Sequence, residues 1–181
     1  MPLINIAQYP ERYQPFALKV DTLLTELEER SHTRWFEFPG DIRNVAVWFC
    51  NDQLPKLRQV NASTTLGELL EGSALFIRDL GMFEGYLEQS IQDLLEVLPV
   101  SYSELADILV NKNINYGSSF DLLVDEYGLP GMLIRFEDKA NRLKELLKGQ
   151  EDLVGESVVD TLMDIAGYAT LSMIYLENNK H

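Results

Sequence analysis

The sequence predicts an all-α protein, a helical bundle built mainly from antiparallel helices. Apolar residues recur at three- and four-residue spacing in most segments, and capping residues precede several of those segments. No segment carries the strong apolar–polar alternation of a β-strand. With 181 residues, of which 46% are hydrophobic, the chain is long enough to bury a sizeable core. Because no run of about 18 apolar residues occurs, we expect no membrane-spanning segment.

The first helices are predicted from apolar periodicity and from one cap. Residues 15–31 place Val20, Leu24 and Leu27 on a single helical face, which predicts the first helix. A Pro-Gly pair then breaks the pattern, and Asp41 is a favoured N-cap residue for the helix that follows.

Two capping boxes predict the starts of later helices. In such a box a Ser or Thr, and a Glu three residues later, satisfy backbone N–H groups of the first turn. The two pairs are Thr65 with Glu68 and Ser101 with Glu104. Gly81 is predicted to end the helix after the first box, with a separate helix over residues 82–98. The second box predicts a helix over residues 103–112.

The last third of the chain is predicted to hold a functional loop and two long helices. Residues 111–119 are polar and contain a glycine, which is typical of a loop that carries function. Residues 132–148 and 151–176 follow as helices. The first of these holds five of the fifteen basic residues, and no Lys or Arg lies between Lys148 and Lys180. A basic helix followed by an acidic one predicts antiparallel packing of the two.

The domain organisation is predicted to be one compact unit with two parts. Residues 1–98 form a helical N-terminal extension whose role the sequence does not indicate, and residues 99–181 form the helical domain with the charged motifs.

Composition narrows the classes of function. A net charge of −14 excludes an extended nucleic-acid-binding surface, which needs clustered Lys and Arg. The single Cys50 excludes an intrachain disulfide and is typical of a cytoplasmic protein. Two histidines and one cysteine exclude an ordinary zinc site, so any metal is expected to be a hard cation held by carboxylates.

The most informative local pattern is a series of three carboxylates, Glu156, Asp160 and Asp164, at four-residue spacing. Like charges at this spacing on a helix repel by roughly 0.2–0.5 kcal/mol per pair, so the series is expected to have a partner. That partner is a divalent cation, the neighbouring basic helix, or water. Residues 165–176 are uncharged, which predicts that the helix enters the centre of a bundle. We expect a homodimer there, with cover by residues 1–98 of the same chain as the alternative.

Two interpretations of the charged helices remain open at this point. In the first, the carboxylates hold Mg²⁺, which takes one or two carboxylates and leaves its other positions to water and phosphate oxygens. Arg135, Lys139 and Arg142 would then contact the phosphates. In the second, the same residues form structural salt bridges, beginning with Asp138 and Arg142 at four-residue spacing.

Three separated motifs in this region resemble the nucleotide-modification-associated domain family of bacteria and their phages. They are Lys112-Asn-Ile-Asn-Tyr-Gly117, Arg135-Phe-Glu-Asp-Lys-Ala-Asn-Arg142 and Glu156-Ser-Val-Val-Asp-Thr-Leu-Met-Asp164, with the resemblance extending over about residues 105–175. The last helix is also similar, more distantly, to the all-α nucleoside triphosphate pyrophosphatases of the MazG and dUTPase type. Those enzymes bind Mg²⁺ on a Glu-x-x-Glu and a Glu-x-x-Asp helix. Here Ser157 stands at one glutamate position, and Asp138 and Asn141 replace the first pair.

The two resemblances imply a Mg²⁺-dependent nucleotide-binding protein linked to nucleotide metabolism or modification. In its enzymatic form, which the more distant resemblance implies, the protein would hydrolyse nucleoside triphosphates to monophosphate and pyrophosphate. The expected metal ligands are Asp138, Glu156, Asp160 and Asp164, and the first three of these are the expected catalytic residues. The expected substrate-binding residues are Lys112, Asn115, Tyr116, Arg135, Lys139 and Arg142. The alternative is a non-catalytic all-α interaction or scaffold protein in which these charges form salt bridges.

Overall fold

The computed structural model describes residues 2–35, 37–63, 74–149 and 155–179, without the side chains of 61–63, 74–79, 116 and 155–157. Two short 3₁₀ turns, Ile6–Gln8 and Glu11–Tyr13, precede the α-helices. The α-helices are α1 Gln14–His32, α2 Ile42–Trp48, α3 Leu54–Ser63, α4 Ala74–Val97, α5 Tyr102–Tyr116, α6 Ser119–Tyr127, α7 Leu129–Leu147 and α8 Gly155–Asn178. No strand occurs in these described ranges, so the predicted all-α class is confirmed.

Two predicted caps are present at the starts of their helices. The Asp41 carboxylate accepts the backbone N–H of Asn44 at 2.9 Å, and the Ser101 hydroxyl accepts that of Glu104 at 3.1 Å. Each bond satisfies one of the first N–H groups that have no partner within the helix. The predicted box of Thr65 and Glu68 lies outside the described residues.

Two predicted helix boundaries are wrong. Helix α4 runs without a break through Gly81, where a helix end was predicted. Glycine in a helix costs about 1 kcal/mol relative to alanine, and burial of Phe83, Leu87 and Ile91 on the same helix outweighs that cost. The polar stretch predicted as a loop belongs largely to α5, and the helix ends only where Gly117 takes a φ of 68°.

A π-helix over Phe49–Gln53 joins α2 to α3, a feature that the sequence analysis did not predict. Pro55 follows in the first turn of α3. It has no N–H to donate to the carbonyl of Asn51, and its ring would clash with that carbonyl in a regular helix. The wider π turn therefore stands where a regular α-helical turn is disfavoured.

Helix α8 lies at the centre of the bundle. It packs most extensively against α4 and α7, and also contacts α1. The uncharged run predicted to be central is mostly buried, with Ile165, Ala169 and Ile174 among its buried residues. Helices α1 and α4 supply a large part of the packing against α8, so the segments before and after residue 98 share one core. Within the described chain, no helix combines the length and the apolarity that crossing a membrane requires.

The N-terminal segment is tied to the bundle by polar contacts. The Asp21 carboxylate accepts the backbone N–H groups of Leu3 at 2.7 Å and Ile4 at 3.2 Å. The Tyr9 hydroxyl donates to Asp107 at 2.5 Å, and burial together with this hydrogen bond raises the pKa of Tyr9 to about 12. The segment is thereby fixed across α1 and α5, the two helices that carry these carboxylates.

Candidate functional site

The charged faces of α7 and α8 meet in antiparallel register. Three cationic side chains of α7 each reach one residue of α8: Arg135 reaches Tyr168, Lys139 reaches Asp164 and Arg142 reaches Thr161. The steps of four and three residues along α7 are matched by steps of four and three in the opposite direction along α8. The predicted antiparallel return of the last helix is therefore present.

One of these contacts is an ion pair that extends to a third helix. The Lys139 ammonium on α7 lies 2.9 Å from Asp164 Oδ2, and the Lys112 ammonium on α5 lies 3.0 Å from Asp164 Oδ1. We call Lys112, Lys139 and Asp164 the ion triad. Its side chains are 53%, 25% and 27% exposed, respectively. The Lys112 contact is therefore open to water, where an ion pair is weak and another anion can compete for the lysine.

A glycine allows α5 and α8 to approach closely enough for the triad. A Cβ atom added at Gly167 would lie 3.1 Å from Cδ2 of Leu109, closer than about nine in ten Cβ contacts in proteins. Lys112 lies one turn beyond Leu109, and Asp164 lies one turn before Gly167. The same antiparallel approach thus brings the lysine to the carboxylate.

A cleft of about 560 Å³ opens beside the triad, within the size range of about 300–1,000 Å³ that small-molecule sites occupy. We call it the α5–α8 cleft. Its apolar lining includes Phe16, Ile108, Leu109, Phe120, Met163 and Leu171, and its polar lining includes Lys112, Asn113, Ser118, Asp121, Asp160 and Asp164. The cleft thus combines apolar walls with polar and charged groups, as ligand sites commonly do.

The charged side chains that line the α5–α8 cleft are mainly acidic. Lys112 faces three aspartates in this lining, Asp121, Asp160 and Asp164. Burial raises the pKa of Asp121, and repulsion from the neighbouring Asp125 raises it further. A free polyphosphate would meet net negative charge here, whereas one that carries a divalent cation would meet less repulsion.

An aromatic pair lies between the cleft and α7. The ring of Tyr168 is stacked on that of Phe120, with centroids 6.1 Å apart and planes inclined by 22°. The Arg135 guanidinium carbon lies 5.9 Å from the centroid of the Tyr168 ring. Its Nε atom is buried and has no hydrogen-bond partner among the described residues. Arg135 is therefore held by ring contact and keeps an unused donor.

The structure brings together some of the predicted site residues. Those that line the cleft are Lys112, Asp160 and Asp164. Lys139 joins them through Asp164, while Arg135 and Arg142 lie along the contact of α7 with α8. Asn115 and Asp138 are exposed and do not line the cleft. The side chains of Tyr116 and Glu156 lie outside the described residues.

The structure describes the side chains of three of the four predicted Mg²⁺ ligands, Asp138, Asp160 and Asp164. No group of three or more His, Cys, Asp and Glu side chains is placed to hold a metal ion in the part of the chain that the structure describes. Both oxygens of Asp164 are held by lysines, and Asp138 is exposed outside the cleft. Asp160 is the predicted ligand that lines the cleft and, within the described residues, forms no ion pair. The metal ion stays a prediction.

Sequence reasoning missed several cleft residues. Asp121, Phe120 and Tyr168 were not among the predicted site residues, although they line the cleft. The available signal was Gly117 followed by two serines, which begins a new helix and places the next two residues at its start. That signal locates a helix end but does not predict which neighbouring helix it faces.

Comparison with known proteins gives a family match for one segment of the chain. A search of curated proteins and a search of solved structures each gave no match. The segment from Lys112 to Leu176 supplies most of the lining of the α5–α8 cleft and three further cations that contact α8. The predicted resemblance to the nucleotide-modification-associated domain family is confirmed, because residues 112–176 match the family model described as nucleotide modification associated domain 1. The more distant resemblance to the MazG and dUTPase type stays a prediction.

Proposed function

We propose that residues 112–176 bind a nucleotide in the α5–α8 cleft, with its phosphate groups directed toward the ion triad. One observation carries this proposal. The segment that matches a nucleotide-modification-associated domain is also the segment that supplies most of the cleft lining, including Lys112 and Asp164.

The geometry supports this assignment in two further ways. The cleft volume of about 560 Å³ is suitable for a ligand of nucleotide size. Its apolar walls offer contact surface to a base or sugar, and the ammonium groups of Lys112 and Lys139 offer donors to phosphate oxygens. Arg135 and Arg142 add positive charge along the neighbouring contact with α7.

The enzymatic form of the proposal is Mg²⁺-dependent hydrolysis of nucleoside triphosphates to monophosphate and pyrophosphate. The support for a divalent cation is electrostatic, since the aspartates of the cleft outnumber its lysine. Asp160 is the described carboxylate of the cleft on which this form chiefly depends. The second candidate is a non-catalytic interaction protein. The ion triad favours it, because the pairing of α5 and α7 with α8 would also serve a purely structural purpose.

Thermal unfolding with a panel of nucleotides, with and without millimolar Mg²⁺, tests the proposal. A ligand at about 100 times its dissociation constant stabilises the folded state by about 2.7 kcal/mol, or roughly 5–10 °C for a chain of this size. We expect such a shift with at least one nucleotide, and a larger one when Mg²⁺ is present.

Lys112→Ala is expected to lower the affinity for that nucleotide by tenfold or more, because a charged hydrogen bond contributes about 1.5–3 kcal/mol. Lys148→Ala is the matched control, since Lys148 is exposed, pairs with Glu145 and lies outside the cleft. No shift with any nucleotide, with or without Mg²⁺, would leave only the structural account.

We also expect a homodimer, although the uncharged run that suggested one is already covered within a single chain. Exposed apolar side chains outside that run, including Leu122 at 66% and Leu18 at 55%, remain available to a second copy. Light scattering at tens of micromolar tests this, and a monomeric mass would count against it.

A further inference from the structure

The ion triad holds a protein carboxylate between two ammonium groups. Asp164 gives one oxygen to Lys112 and the other to Lys139, at 3.0 and 2.9 Å. A phosphate group has the same ability to accept hydrogen bonds from two ammonium groups at once. We infer that Asp164 is an internal counter-ion that competes with the ligand's phosphate for Lys112 and Lys139.

The exposure of Lys112 and Asp164 supports exchange of one anion for another. Lys112 is 53% exposed and lines the α5–α8 cleft, so a ligand in the cleft has access to its ammonium group. Asp164 is 27% exposed and lines the same cleft, so its carboxylate can be rehydrated when it loses a lysine. The exchange therefore leaves no charge buried without water or a partner, which would otherwise be costly.

This inference rests on the proposed function and adds a regulatory element to the same site. It also differs from the predicted role of Asp164 as a ligand of Mg²⁺. A metal ligand contributes to nucleotide binding, so its loss weakens the complex. A competitor opposes nucleotide binding, so its loss strengthens the complex. The two roles predict opposite changes in affinity for the same substitution.

The test is calorimetric titration of Asp164→Asn with inorganic pyrophosphate in the presence of a metal chelator, and with a nucleotide panel both in the chelator and in millimolar Mg²⁺. We expect pyrophosphate to bind Asp164→Asn at least about threefold more tightly than the wild type, because two partly exposed ion pairs no longer oppose it. Asp121→Asn is the matched control. It removes the same charge from the same cleft. The charged groups that shift the pKa of Asp121 are Asp125 and Lys19 rather than the triad lysines.

The outcomes separate the two proposals. Tighter pyrophosphate binding by Asp164→Asn than by Asp121→Asn, together with nucleotide binding, supports both. The same pyrophosphate result without binding of any nucleotide supports the counter-ion and overturns the proposed function. Equal effects of the two variants reduce Asp164 to a general source of negative charge and overturn the inference. Weaker or absent pyrophosphate binding by Asp164→Asn also overturns it.

Discussion

Phe136→Ala is expected to lower the free energy of unfolding by about 3–5 kcal/mol, the usual cost of removing a fully buried aromatic ring. Phe136 has no exposed surface and belongs to the buried stripe of α7. Its ring centroid lies 6.2 Å from that of Phe49, with the planes inclined by 45°. The cavity left by the substitution would lie between α7 and the π-helix that carries Phe49.

Urea unfolding of the variant and the wild type measures this difference. Ile134→Ala is the matched control on the same helix, because Ile134 is 47% exposed and its loss is expected to cost about 0.5 kcal/mol or less. A cost below about 1 kcal/mol for Phe136→Ala would contradict the described packing of α7. The site depends on that packing, since the same helix carries Lys139 to Asp164.

Asp160→Asn and Arg135→Ala are each expected to abolish nucleotide binding in Mg²⁺ while leaving the fold intact. Asp160 lines the cleft, and Arg135 keeps a buried Nε donor that has no hydrogen-bond partner among the described residues. Neither forms a salt bridge within the described residues. The stability change is therefore expected to stay within about 1 kcal/mol, which for Arg135 reflects the lost contact with Tyr168.

Nucleotide titration and urea unfolding of the same proteins test both parts of this prediction. Arg58→Ala is the control for Arg135→Ala, because Arg58 forms an exposed ion pair with Glu137 away from the cleft. Glu145→Gln is the control for Asp160→Asn, since Glu145 pairs with Lys148 on the surface. A loss of 3–5 kcal/mol in stability, the cost of breaking a buried ion pair, would favour the structural account instead.

The sequence predicted the features that follow from local chemistry. Asp41 and Ser101 are caps because a short polar side chain at a helix start satisfies a free N–H, whatever lies around it. The central position of α8 followed from its uncharged run. The antiparallel contact of α7 with α8 followed from their opposite charges.

The features that depend on long-range packing were not predicted. Gly81 continues a helix because apolar residues distant in sequence bury the neighbouring turns. Helix propensity depends only on nearby residues and therefore does not predict this burial. The partner of Lys112 is 52 residues away in sequence, and the partner of Lys139 is 25 residues away. Three candidate partners for the carboxylates remained open in the sequence, and the packing of α5 and α7 against α8 brings two lysines to Asp164.

The matched spacing of the contacts between α7 and α8 has a consequence for insertions and deletions. One added residue within α8, between Thr161 and Tyr168, would turn the residues beyond it by about 100° relative to those before it. The contacts of Arg142 and Arg135 could then not both form, even though every side chain was still present. Substitutions change one contact at a time, whereas a change in the number of residues within either helix disrupts several contacts together. Related sequences are therefore expected to keep the rotational register of α7 relative to α8, and so the number of residues within each helix.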